Sequence, residues 1–433
     1  MPKNPPPDAA HPTPDAATRP RRSTRPTGRA AWLLGLALVA GVAYCDPGNV
    51  ASNMTAGARY GYLLVWVVVL GNVLAWLIQY LSAKLGVVTG RSLAETLGER
   101  IRSRWGRRAY WLQAELVAMA TDIAEVIGGA VALWLLFGVP LLWGGLVTGA
   151  VSIGLLLVQQ RRGARSFEFV VIGLMLIIAF GFTYGVFAAP PDPAGVLGGL
   201  VPRFEGADSV LLAASILGAT IMPHAIYAHS ALARDRFTAA TADPADRAVA
   251  TPRLLRATRW DVTIALAIAG TVNLAILLLA AAALSGVPGT DSLEGAYAAL
   301  RDGIGPVVAT LFAVGLLASG LASTAVGAYA GAEIMQGLLR VRVPLLARRL
   351  ITLVPALAIL AAGVDPTLAL VLSQVVLSFG IPFALVPLVA LTARRDVLGV
   401  HRNRVVTTAA GVVAAVFLIT LNVVLLWLVL TGG

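Results

Sequence analysis

An all-helical membrane protein with eleven crossings is the fold class this sequence predicts, and three observations predict it. Hydrophobic residues make up 58% of the 433 and charged residues only 13%, with a mean hydropathy of +0.81. A soluble domain of that length has too little interior to bury so much apolar surface. The apolar residues gather into long runs, and Lys and Arg cluster between alternate runs, as cytoplasmic loops do in a polytopic protein. Two runs are interrupted by polar, proline-containing breaks, Ala43-Tyr-Cys-Asp-Pro-Gly-Asn49 and Ile221-Met-Pro-His224.

The composition also excludes several classes. The net charge of +11 lies in the short loops, which argues against a nucleic-acid partner. With Cys45 the one cysteine, neither an intrachain disulfide nor a cysteine metal cluster is available. The two lysines, Lys3 and Lys84, do not follow glycine, so there is no Walker A loop for ATP. There is no His-Glu-x-x-His zinc motif and no Gly-x-Ser-x-Gly elbow with a histidine partner, so the reading is not an enzyme. The pattern calls for no cofactor and no obligate protein partner.

In chain order, residues 1–29 read as a disordered basic tail rich in Pro and Arg, without the apolar stretch of a signal peptide. Apolar runs follow at about 30–57, 62–84, 109–136, 141–159, 168–188, 208–233, 260–285, 304–337, 350–363, 366–392 and 405–430. Of the 33 Lys and Arg, 30 fall in the tail and in the connections on one side, including 234–259, 340–349 and 394–404. Only Arg59, Arg203 and Arg301 fall opposite. This alternation predicts a cytoplasmic N-terminus and a C-terminus outside. The membrane expected from such compact loops is a prokaryotic inner (plasma) membrane.

Runs one and six are expected to be broken helices. From Ala31 to Cys45 are 15 residues, about 22 Å of helix against roughly 30 Å of hydrocarbon. Pro47 and Pro223 remove a backbone donor and free carbonyls one turn earlier. Interrupted helices at matching positions of two halves point to an inverted-repeat transporter with its site between the breaks. The division is a tail (1–29), a core at 30–392 with repeats at about 30–190 and 205–392, and a loop with the eleventh helix at 393–433.

The first break offers the Asp46 carboxylate, the Asn49 amide oxygen and a freed carbonyl such as that of Ala43. Gly48 permits the turn. The second break offers the Met222 thioether and the Ala219 carbonyl. Carboxylate and carbonyls alone suit Mg²⁺ or Ca²⁺, whereas a thioether shifts the preference to softer divalent ions such as Mn²⁺ and Fe²⁺. Methionine more often fills a core, but beside a proline break and a histidine the ligand reading is preferred. His224 touches the break, and a histidine side chain can titrate near physiological pH, which suits a proton-linked role. His229 stays open between that role and a cross-helix hydrogen bond. Glu115, Asp122 and Glu125 share one helical face of the third run. Three acids in a membrane helix suggest a proton relay or a counter-charge, with Arg348 and Arg349 as partners unless these only anchor the loop. Gln374 either adds an oxygen ligand or bonds a neighbouring helix.

Asp46-Pro-Gly-Asn49 and Met222-Pro-His224 resemble the hallmark motifs of the Nramp (MntH) family of proton-coupled divalent-metal transporters. The stretches 84–90, 120–128, 220–230 and 373–382 are similar to further family segments in the same order, and the likeness spans about 30–430. The resemblance implies a LeuT-type fold: a 5+5 inverted repeat with helices 1 and 6 broken, plus an additional helix 11. It implies import of Mn²⁺ or Fe²⁺ with H⁺, with Co²⁺, Cd²⁺ and Zn²⁺ as further candidates. It also implies a metal site of Asp46, Asn49, Met222 and the Ala43 and Ala219 carbonyls, joined by Gln374 in some states. The implied proton route uses Asp46, His224, Glu125 and Asp122, then the acidic and arginine positions of runs three and nine. Ala225 and Leu321 depart from the family, where polar residues are common. The competing readings are a sodium-coupled amino-acid carrier of the same fold and, from another class, a membrane metal sensor. The first conflicts with Asp46, which would repel a substrate carboxylate; the second lacks an output domain.

Overall fold

The computed structural model describes residues 43–162, 164–240, 244–341 and 343–431. Every regular element among its described residues is a helix. In order, the α-helices are α1 (Pro47–Tyr60), α2 (Val65–Thr89), α3 (Leu93–Arg100), α4 (Arg104–Phe137), α5 (Leu141–Arg162) and α6 (Ala164–Ala188). They continue with α7 (Pro193–Gly198), α8 (Gly206–Ile221), α9 (Pro223–Ala240), α10 (Pro244–Ala283) and α11 (Leu293–Gly303). The rest are α12 (Pro306–Leu339), α13 (Leu345–Ala361), α14 (Pro366–Ala393), α15 (Arg395–Leu398) and α16 (Val405–Thr431). Residues 30–42, the first part of run one, lie outside the described residues.

Both breaks follow from local chemistry. A 3₁₀ turn, Ala43–Cys45, leads into α1, where Asp46 is the N-cap and Pro47 takes the first helical position. The Asp46 carboxylate accepts the Asn49 N–H at 2.8 Å, satisfying a donor that helix geometry leaves unpaired. Between α8 and α9, Met222 has φ +31° and ψ 101°, a region glycine occupies more readily than any side chain. Pro223 then restarts the helix.

Among the described residues seven helical stretches are long and apolar enough to cross a membrane: 65–89, 104–137, 206–236, 250–283, 306–339, 366–393 and 405–431. The third of these contains the Met222 break. Leu141–Leu155 and Ile172–Ala188 are shorter apolar pieces, and α13 has only 17 residues, with Arg348 and Arg349 near its start. Burial sorts centre from edge: the most apolar window of 206–236 is 94% buried, that of α16 only 33%. The broken pair therefore runs through the middle, and α16 lies at the periphery against α14. Around the pair, α10 packs on α1 and α2, α12 on α4 and α6, and α14 on α8 and α4.

Two features differ from the sequence expectation. The connection read as a 234–259 loop is largely helix, because α9 reaches Ala240 and α10 begins at Pro244, with Pro252 inside it. The short α3 was not expected from hydropathy, although a readable capping box starts it: Ser92 caps the Glu95 N–H while the Glu95 carboxylate takes the Ser92 N–H. Small residues bring the helices close. A Cβ on Gly98 of α3 would lie 2.1 Å from the Gly337 carbonyl oxygen of α12, and one on Gly86 of α2 would lie 2.1 Å from that of Ser230 on α9. Gly98→Ala is expected to destabilise the protein by about 1–3 kcal/mol through overpacking. Gly154→Ala, in open space on α5, is expected to be neutral or stabilising by about 0.5–1 kcal/mol. Thermal unfolding of the two variants in detergent distinguishes them.

Candidate metal site and the adjoining charge cluster

The two breaks meet at the Asn49 side chain. Its Nδ2 donates to the carbonyl of Tyr44 at the first break and to that of Ala219 at the second, both at 2.8 Å. Each carbonyl lies where the helix cannot supply a full set of donors, and Pro223 has no N–H to offer Ala219. Tyr44 is further held by the Asn273 amide of α10 at 3.0 Å, and the Cys45 carbonyl accepts the Ser319 hydroxyl of α12. In an apolar interior each of these groups left alone would be costly.

Gln374 of α14 closes the site from a third direction. Its Nε2 donates to Asp46 Oδ2 at 3.3 Å and to Ser373 Oγ at 3.1 Å. Its Oε1 is buried without a donor. Two glycines make room: a Cβ on Gly48 would meet Gln374 Nε2 at 1.8 Å, and one on Gly218 would meet the Gln374 carbonyl oxygen at 1.9 Å. Ser52 and Ser215 add a direct hydroxyl contact at 2.6 Å between α1 and α8. Asp46, Asn49, Ala219, Met222 and Gln374 are all fully buried. Of the expected carbonyls, that of Ala219 is held by Asn49 as described. At the first break the amide takes the Tyr44 carbonyl, one residue beyond Ala43.

A second buried cluster lies on α4. Arg349 of α13 reaches Asp122 and Glu125 at 3.1 Å each through one guanidinium nitrogen. It also donates to Ser152 at 2.9 Å and Thr324 at 3.3 Å. Arg348 pairs with Glu115 at 3.0 Å and lies 3.5 Å from Asp122. The expected arginine partners are therefore the actual ones, and both are buried rather than anchoring a loop. Gly331 makes this possible, since a Cβ there would lie 1.8 Å from the Arg348 guanidinium carbon. Three carboxylates face two guanidiniums, leaving one net negative charge if all are ionised.

His224 lies beside the break and faces α4. On α9 beside the break, its Nδ1 lies 3.2 Å from the Thr121 hydroxyl of α4, the neighbour of Asp122. His229 instead bonds Gln79 of α2 at 2.8 Å and joins a different helix pair. Sequence reasoning missed Tyr44, Asn273, Thr121, Thr324 and Ser152. Asn273 carried a signal as a lone amide in an apolar helix; the hydroxyls carried none, because Ser and Thr are common in membrane helices. Also missed was Arg234 at the far end of α9, which pairs with Glu95 of α3 at 2.8 Å and Glu333 of α12 at 3.0 Å. Among the described residues no three His, Cys, Asp or Glu side chains form a metal cage. The polar site thus combines one carboxylate with amides and carbonyls.

Known proteins resemble this chain in sequence and in fold. The sequence model of the Nramp family, described as natural resistance-associated macrophage protein-like, matches residues 37–428. A divalent metal cation transporter MntH of Mycobacterium tuberculosis (strain H37Rv) is 60% identical over 412 residues, covering 95% of each chain. The crystal structure of a manganese transporter from Eremococcus coleocola superposes with a TM-score of 0.80 at 34% identity, covering 92% of this chain and 88% of that one. Mhp1, a nucleobase-cation-symport-1 family transporter, shares the fold at a TM-score of 0.57 and 15% identity, covering 91% and 89%.

The charge cluster gives a test of its own. Gly331→Ala is expected to eject the Arg348 guanidinium and leave carboxylates buried with less compensation, a loss of about 3–5 kcal/mol. Gly327→Ala, whose Cβ would stop 3.1 Å from Glu125 Oε1, is expected to cost less. Unfolding midpoints of the two variants give the order.

Proposed function

This chain belongs to the Nramp family, a family of metal transporters and not of enzymes, and from that membership and the site geometry we propose that it is a secondary transporter importing a divalent transition metal. Mn²⁺ and Fe²⁺ are the proposed cargo, with Co²⁺, Cd²⁺ and Zn²⁺ as further substrates, coupled to protons by alternating access around the two breaks. The proposed transporter has eleven crossings in a LeuT-type 5+5 repeat with an added helix 11, the N-terminus cytoplasmic and the C-terminus outside, in a prokaryotic cell membrane. The supporting observation is that one amide, Asn49, serves carbonyls of both breaks while Asp46 and Gln374 flank it. A metal entering there would exchange the bridging amide hydrogens for its own bonds to the Asp46 carboxylate, the Asn49 and Gln374 oxygens, and the carbonyls of Ala43 and Ala219. The buried, unpaired Gln374 Oε1 already offers an acceptor beside Asp46.

Met222 supplies the proposed soft ligand. A positive φ at a non-glycine residue costs on the order of 1–3 kcal/mol, yet methionine occupies the position where glycine would relax the backbone. The Met222 side chain is fully buried within the hydrophobic core, so packing offsets part of that cost, and a ligand role is the proposed reason for the rest. A thioether among oxygens favours transition ions over Ca²⁺ and Mg²⁺.

Coupling follows from charge. One carboxylate leaves a divalent ion under-neutralised, so metal at Asp46 favours release of any proton held there. His224 and Thr121 lead from the break toward Asp122, and the α4 cluster, with three acids against two arginines, can take one proton without excess positive charge. Glu115, Asp122, Glu125, Arg348 and Arg349 form the proposed exit. His229 is assigned to the same pathway, one helix pair away. A sodium-coupled amino-acid carrier is the weaker reading, because Asp46 caps the half-helix N-terminus where a substrate carboxylate would bind. A metal sensor would need an output domain.

In proteoliposomes with an inward proton gradient, Asp46→Asn is expected to abolish Mn²⁺ uptake; retained uptake would remove Asp46 from the site. Met222→Gly relieves about 1–3 kcal/mol of backbone strain but leaves a cavity at a fully buried position that costs about 2–5 kcal/mol. It is therefore expected to unfold somewhat more easily than the parent and to let Ca²⁺ compete with Mn²⁺ about tenfold better, a difference of about 1.4 kcal/mol. Unchanged competition would mean that the thioether only packs. For Glu125→Gln, metal-driven proton flux is expected to fall and the pH dependence of uptake to flatten, measured with a pH-sensitive dye inside the vesicles. An unaltered profile would exclude Glu125 from the relay.

A further inference from the structure

We propose that the groove between the end of α14 and the start of α16 is a binding site for the phosphate headgroup of an anionic phospholipid. The groove is open, with a volume of about 840 Å³, and Arg402, Arg404 and Thr408 supply its polar wall. Val405, Val412 and Val413 continue it along α16, where they are 85%, 49% and 68% exposed. A cationic mouth opening onto an exposed apolar helix face matches an amphiphile with a charged head and an acyl tail.

The charges around this groove are positive and unbalanced. Among the described residues neither arginine has a carboxylate within ion-pair distance. The acid of this connection, Asp396, is already engaged by Arg100 at 3.4 Å and Arg394 at 3.3 Å. Behind the groove lies Lys84 of α2, only 7% exposed, whose Nζ donates to Asn403 Oδ1 at 2.9 Å. Asn403 lines the groove and is pinned to α14 through Thr392, by its side chain at 2.8 Å and its backbone N–H at 2.9 Å. A buried ammonium bonded to a neutral amide is poorly compensated, and its field reaches the groove through the Asn403 side chain. The first N–H groups of α16 add a partial positive charge, since Thr408 is the first to bond back along the chain, to Arg404.

The occupant follows from the setting. This connection belongs to the arginine-rich side, which the proposed orientation puts against the cytoplasmic leaflet, and basic pockets between membrane helices on that side select anionic headgroups. A free phosphate would use the arginines but leave the valine face bare. A soluble acidic protein would not reach along α16 into the hydrocarbon.

Native mass spectrometry of the full chain in detergent tests the proposal, with phosphatidylglycerol and phosphatidylcholine of equal chain length as probes. The parent is expected to retain phosphatidylglycerol in preference to phosphatidylcholine. The double variant Arg402→Gln/Arg404→Gln is expected to bind it about 30-fold more weakly, taking about 1 kcal/mol per arginine, while Arg402→Lys/Arg404→Lys keeps most of the preference. Val405→Glu, at a highly exposed position, puts a carboxylate at the mouth and is expected to weaken retention with both arginines intact. Equal retention of the two lipids by the parent, or unchanged retention in the glutamine variant, would overturn the assignment. So would competition by inorganic phosphate at the concentration of the lipid, or a dimer that dissociates in the glutamine variant without any lipid bound.

Discussion

Backbone carbonyls inside an apolar medium must find donors, and that constraint organises the centre of this protein. Each helix break leaves carbonyls that the helix cannot serve, and Tyr44 and Ala219 are buried from solvent in this structure. Asn49 resolves two of these at once by reaching Tyr44 on its own side and Ala219 across the interface. Asn273 and Ser319 take further shares of the first break. The breaks are therefore held to each other by the same groups that make them polar. In the proposed mechanism a cation takes the place of the Asn49 donor, while Tyr44 keeps its bond from Asn273.

The second constraint is electrostatic. Buried carboxylates persist only with partners, and α4 places three of them where α13 brings two arginines. Glycines on α12 make the approach possible: Gly331 leaves the volume that the Arg348 guanidinium fills. Thr121, next to Asp122 on α4, hydrogen-bonds His224 beside the break. In the proposed mechanism metal and proton thus occupy adjoining networks that share α4 and α9, and a charge change in one is felt in the other with little water to screen it.

Much of this was legible in the residues. Proline at 47 and 223, each set beside polar residues in an apolar run, announced the breaks, whereas Pro252 alone leaves α10 continuous, and Asp46 marked the N-cap of α1. The seven-and-three spacing of Glu115, Asp122 and Glu125 put them on one face, and a buried acid face demands cations, so the Arg348–Arg349 pair was readable too. The bridging role of Asn49 was not readable. An amide offers both an oxygen and hydrogens, and only the fold shows that its Nδ2 faces the two carbonyls. Nor did hydropathy reveal the helix through the basic 244–259 segment, since charged residues at a membrane surface look alike in loop and helix. The strain at Met222 was hidden as well, because a positive φ leaves no mark on residue type unless glycine takes the position.

The central claim is that both breaks contribute ligands to one ion, oxygen from Asp46 and Asn49 and sulfur from Met222. X-ray absorption at the manganese edge of the Mn²⁺-loaded protein measures this directly. The expected result is a first shell of oxygen neighbours with one sulfur, the sulfur lost in Met222→Ala while the oxygens remain. An oxygen-only shell in the parent protein would contradict a site shared between the two breaks.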